Sequence, residues 1–115
     1  MRVLTIAHNA VALSNRQRVD ALRRLPDVEV TLLTPPWWYE EGRRIDARST
    51  ARWRLGRTLF TGNGTRHVYL SGLFESVRKC TPDVIDLCEE PFSLVALQTL
   101  AARNLLAPHA ALVVY

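Results

Sequence analysis

The opening residues constrain the fold of this chain most. Arg2-Val3-Leu4-Thr5-Ile6-Ala7 reads as an apolar strand, His8-Asn9-Ala10-Val11-Ala12-Leu13 as a connector, and a helical pattern starts near Ser14. A strand that passes through a short connector into a helix begins an α/β domain built on a parallel sheet. The connector holds no glycine. A dinucleotide pyrophosphate needs the close backbone approach that a G-x-G-x-x-G turn provides, so the loop is not a nicotinamide cradle. It offers instead His8, Asn9, Ser14 and Asn15, side chains suited to a polyhydroxylated or anionic ligand.

The alternation continues along the chain. Val19, Leu22 and Leu25 recur at helical spacing, with Ser14 as N-cap and Pro26-Asp27 as the stop, which predicts a helix from Ser14 to Leu25. Val28 to Thr34 is an apolar run expected to be buried on both faces of a parallel sheet. Pro35 to Gly42, including Trp37, Trp38 and Tyr39, is expected to be a loop by its prolines and glycine. Arg43 to Arg57 carries six arginines and little periodicity. Thr61-Gly62-Asn63-Gly64-Thr65 is a turn, Arg66 to Leu70 a short strand or the lead-in to a helix, and Ser71 to Cys80 that helix. Asp83 to Cys88 is a strand, Phe92 to Leu106 a helix so apolar that heavy burial is expected, and Ala110 to Tyr115 a last strand. The fold expected is a Rossmann-like open parallel sheet with helices on both faces, residues 1–115 forming one domain. A last apolar strand without a following helix leaves one sheet face short of cover, so the chain is expected to be part of a longer protein, truncated at the fifth main strand.

Bulk properties narrow the function classes. No apolar run is long enough to span a bilayer, and the start lacks a signal-peptide pattern, so a cytoplasmic location is expected. Cys80 and Cys88 form no C-x-x-C pair and are read as reduced, partly buried thiols. The net charge of +4 comes from arginine, with Lys79 the sole lysine. No recognition motif accompanies that charge, so it is read as composition rather than nucleic-acid binding. P-loop, H-E-x-x-H and G-x-S-x-G motifs are missing, as is any metal-ligand spacing.

Ligands of open parallel sheets bind beyond the carboxyl ends of the strands, where strand order reverses. Three connectors there carry unusual residues. His8 can donate to a substrate oxygen or shuttle a proton, or be a strand-end histidine satisfied by backbone. Arg16 and Arg18 can hold a phosphate or carboxylate at a helix N-terminus, or form a solvated basic face. Glu89 and Glu90 can accept hydrogen bonds from sugar hydroxyls, act as a base, or complement the positive end of the next helix. Trp37, Trp38 and Tyr39 form either a stacking platform for a sugar or lipid tail, or packing anchors. The Arg43 to Arg57 segment either touches anionic lipid head groups or is a solvated surface.

Four stretches resemble the N-terminal, acceptor-side domain of GT-B glycosyltransferases, in particular the large retaining group that uses nucleotide sugars. They are Arg2 to Asn9; Val28 to Pro35 followed by Trp37; Gly62 to Tyr69 with His67 and Tyr69; and Pro82 to Leu87 with Glu89-Glu90-Pro91-Phe92-Ser93-Leu94. The resemblance implies that this domain binds the acceptor, that a second, C-terminal domain binds most of the nucleotide-sugar donor, and that the active site is the cleft between them. Where family members often show first-loop glycines, this chain has Asn9-Ala10-Val11-Ala12. The expectation is the acceptor-binding part of a sugar transferase, inactive alone. Its acceptor is a saccharide, lipid-linked glycan or small molecule, contacted by His8, Asn9, Arg16, Trp37, Trp38, Glu89 and Glu90. It needs no cofactor or metal, and it contacts the membrane at most peripherally. A non-enzymatic α/β binding module, or an arginine-rich nucleic-acid-binding fragment, is the alternative.

Overall fold

The computed structural model describes residues 1–48 and 50–115. Its centre is a five-stranded sheet built from β1 (Arg2–Ile6), β2 (Glu29–Thr34), β5 (Trp53–Leu55), β8 (Val84–Leu87) and β9 (Ala111–Val114). The order is β5-β2-β1-β8-β9, and every neighbouring pair is parallel. Strand order therefore reverses between β1 and β8, with Val3 opposite Val84 and Ile6 opposite Leu87.

The period of two along each strand sorts the core into two layers. Leu4, Ile6, Leu33, Ile85 and Leu87 pack against Leu73 and Val77 of α2 (Leu73–Cys80) and Val95 and Ala102 of α3 (Leu94–Leu106). Val3, Ala7, Val30, Leu32 and Trp53 point the other way, onto Val19 of α1 (Gln17–Arg23). Helices thus cover both faces, which is why the strands read as apolar runs rather than as alternation.

Several local expectations are corrected. The predicted helix from Ser14 starts later: short 3-10 helices at His8–Val11 and Leu13–Asn15 precede it, and α1 begins at Gln17. Ser14 is no N-cap. Its hydroxyl donates to Glu40 Oε1 at 3.4 Å, and Arg16 pins the connector by donating to the carbonyls of Ala10 (2.7 Å) and Val11 (2.8 Å) while lying over Trp53. The presumed loop around Trp37 is a hairpin of β3 (Trp37–Glu40) and β4 (Arg43–Asp46). Glu41 and Gly42, both at positive φ (50° and 76°), supply the two-residue turn whose twist suits antiparallel strands, and the prolines precede the strand instead of breaking it. Downstream, β6 (Thr58–Leu59) pairs with β7 (Val68–Tyr69) across the glycine-rich turn. The heavy burial expected of α3 is also corrected. Val95, Thr99 and Ala102 form its narrow inner stripe, while Leu97 and Leu105 are 65% and 73% exposed, because one side alone of the helix meets the sheet. Cys80 and Cys88 are free and half-buried, as expected. No described helix is long and apolar enough to cross a membrane.

Candidate functional site

Side-chain alternation carries past the ends of β1 and β8 and decides which rim residues meet. His8 continues the Leu4–Ile6 face, and Glu89 continues the Ile85–Leu87 face. Both therefore fall on the α2/α3 side of the sheet, at the point where strand order reverses. Glu89 Oε1 accepts the His8 backbone N–H at 2.9 Å, and Oε2 pairs with His8 Nδ1. The carboxylate side chain is fully buried and the His8 side chain is 20% exposed. An ionised carboxylate can only accept, so Nδ1 carries a hydrogen, and in the neutral ring Nε2 is the acceptor.

Two further rings close around this pair. Trp38, buried on the inner face of the hairpin, lies 4.2 Å from the His8 ring centroid at a tilt of 40°. His67 stands edge-on to Trp38 at 4.9 Å and to His8 at 5.5 Å. The glycine-rich turn positions it. Asn63 Oδ1 accepts from the backbone of Thr65 and Arg66, and the Asn63 carbonyl accepts from both the backbone N–H and the ring Nδ1 of His67. A carbonyl cannot donate, so His67 Nδ1 bears the hydrogen and Nε2 faces Glu89 Oε1, 3.7 Å away and beyond hydrogen-bonding distance. His67 Nε2 and the Tyr69 hydroxyl are both buried without a hydrogen-bond partner among the described residues.

The electrostatics follow from burial and these neighbours. Burial alone would raise the Glu89 pKa, but the His67 and His8 rings outweigh it and hold the carboxyl below its ordinary range. Burial, with the Glu89 charge adding to it, pushes the Tyr69 hydroxyl well above its ordinary value, so Tyr69 stays neutral.

The opposite face of the same rim carries a second polar group. Arg18 grips Asp86 with two bonds, Nη2 to Oδ1 at 2.7 Å and Nε to Oδ2 at 3.3 Å, and lies over the Tyr115 ring. The bond to Asp86 is the main reason the Arg18 pKa is raised. Burial, then the Asp86 charge, pushes the Cys88 thiol up to about 11. Asn9, Asn15, Arg18, Cys88 and Tyr115 line a cavity of about 180 Å³ beyond the carboxyl ends of β1 and β8, beside α1. A larger cleft, about 690 Å³, lies between the connector and the hairpin, lined by Leu13, Arg16, Glu40, Ile45, Arg48 and Trp53.

The residues singled out from sequence thus divide. His8, Trp38 and Glu89 come together. Asn9 lines the small cavity on the opposite face of the rim. Arg16 lines the large cleft, with Nε and Nη2 committed to carbonyls. Trp37 points to the outer face of the hairpin, edge-on to Tyr39 at 5.2 Å and beneath Arg44. Glu90 is exposed, its carbonyl accepting from Ser93 N–H. Of the four centre residues, His67 was not among the site candidates. It lies far from His8 and Glu89 in sequence, so no spacing motif joins them; the Asn-Gly turn before it is the one usable signal. Comparison of the chain with protein-family models, with curated proteins and with solved structures finds no match to any of them.

Proposed function

We propose that this chain is the acceptor-side half of a sugar transferase of GT-B type, with His8 as the base that takes the proton of the attacking acceptor hydroxyl. The observation that carries the reading is the His8–Glu89 pair at the carboxyl ends of adjacent parallel strands, at the reversal of strand order. Glu89 does for His8 what a buried carboxylate does in any carboxylate–histidine pair: it fixes the tautomer and orientation and stabilises the imidazolium that forms on proton transfer. Such base catalysis contributes about 10²–10⁴-fold in rate. Trp38 holds the ring from one side, and Asn9, the next residue in the chain, offers a neutral amide to sugar hydroxyls in the cavity on the other face of the rim.

On this reading the donor is a nucleotide sugar bound by a second domain outside these 115 residues, and no organic cofactor takes part. The acceptor is a saccharide, a lipid-linked glycan or a small hydroxylated molecule. Saturation-transfer NMR of the chain with acceptor glycans and with nucleotide sugars tests it. The expected result is saturable binding of at least one glycan class, lost in His8→Ala, and no turnover of any nucleotide sugar. Turnover by the chain alone, or glycan binding indifferent to His8→Ala, refutes the assignment.

A further inference from the structure

We infer that His67, Glu89 and His8 form a binding site for one divalent transition-metal ion of the zinc class. The proposal goes beyond the transferase reading, since it concerns metal binding in the absence of any sugar. One candidate ligand atom from each of the three side chains lies within 4.8 Å of the others. Tetrahedral zinc with bonds of about 2.0–2.2 Å needs ligand atoms about 3.3–3.5 Å apart, a closure that side-chain rotation of about an ångström provides.

The His67 tautomer is the second, independent observation. Its Nδ1–H donates to the Asn63 carbonyl at 2.8 Å, the outer contact that fixes metal-binding histidines with Nε2 free. That Nε2 is fully buried, has no hydrogen-bond partner among the described residues, and faces a carboxylate oxygen at 3.7 Å. A buried ring nitrogen and a carboxylate oxygen that face each other at 3.7 Å without a hydrogen bond between them are two donors that one cation would join.

The donor set chooses the metal. Two imidazoles and one carboxylate without sulfur suit zinc, nickel, copper or ferrous iron, whereas magnesium and calcium prefer all-oxygen shells. Glu89 binds through one oxygen, the Oε1 that faces His67 Nε2, because Oε2 is held by His8 Nδ1. His8 is the partly exposed member, so the open fourth position for water lies on its side.

Tag-free chain titrated with Co²⁺, and with Zn²⁺ by calorimetry, provides the test. The expected result is one ion per chain, a low-coordinate cobalt d–d spectrum without a thiolate charge-transfer band, and a raised melting temperature. His8→Ala and His67→Gln are each expected to weaken binding about tenfold or more, while His109→Gln, at an exposed position, leaves it unchanged. Should a variant fail to fold, X-ray absorption of the zinc-loaded wild type decides alone, the expected shell being nitrogen and oxygen with two imidazoles. No saturable one-to-one binding, a sulfur shell drawn from Cys80 or Cys88, or affinity indifferent to both site variants overturns the inference.

Discussion

Replacing Glu89 by glutamine removes one charge and one acceptor from the centre of the site at almost constant volume. The carboxylate accepts two hydrogen bonds from His8, one from the backbone and one from the ring, and faces His67. Hydrogen bonds to a charged group contribute about 1.5–3 kcal/mol each, neutral ones about 1 kcal/mol. A glutamine that keeps its oxygen on the His8 backbone N–H turns its NH₂ toward Nδ1, which must then give up its hydrogen. The ring flips tautomer and Nε2 becomes a donor. The net cost is about 2 kcal/mol, or about 8 °C in melting temperature for a domain of this size. The pH dependence has a fixed sign. The folded-state pKa of Glu89 lies below its ordinary value of 4.5, so its stabilisation is complete above that value and disappears as pH falls through the folded pKa. Urea denaturation of wild type and Glu89→Gln, followed by tryptophan fluorescence from neutral pH downward, measures both quantities. The two curves should differ at neutral pH and converge in acid. Equal stability at neutral pH, or a deficit that persists undiminished into strong acid, refutes the reasoning.

Arg18→Met should cost about 3 kcal/mol in denaturant melts by leaving the Asp86 carboxylate buried and unpaired, and a second change, Asp86→Leu, should recover most of it. Gly72→Ala should cost more than Gly42→Ala. Both glycines have positive φ, but a Cβ on Gly72 would sit 2.7 Å from the Gly56 Cα, whereas one on Gly42 meets nothing within 4 Å. Paired melts should give about 1 kcal/mol for Gly42 and at least about twice that for Gly72. Cys88, with its thiol pushed up to about 11, should alkylate with iodoacetamide slowly near neutral pH and accelerate as pH approaches that value, read by peptide mass spectrometry.

Much of the frame is legible in the sequence because strands buried on both faces leave continuous apolar runs. Arg2 to Ala7, Val28 to Thr34 and Asp83 to Cys88 announce themselves this way, and parallel pairing follows from the helices between them. The hairpin at Trp37–Asp46 was hidden because its signal is a two-residue Glu-Gly turn, while two prolines just upstream suggested a loop. Ser14 misled because a good N-cap residue was drawn instead toward Glu40, a contact across distant sequence. The pairing of His8 with Glu89 rather than Glu90 is written in the alternation of strand faces, once the β1–β8 register is known. Register is a tertiary property that no single strand's residues fix, and the same holds for His67, which a turn of its own brings to the site.

The central claim is that His8, oriented by Glu89, presents an unprotonated Nε2 to an acceptor hydroxyl at the rim of the sheet. Long-range ¹H–¹⁵N correlation of the histidine rings during titration with acceptor glycans addresses it directly. The account predicts a His8 ring with hydrogen on Nδ1, whose Nε2 resonance moves saturably as glycan binds while that of His109 stays still. Hydrogen on Nε2 in the free protein, or a His8 ring unmoved by a glycan that demonstrably binds, contradicts it.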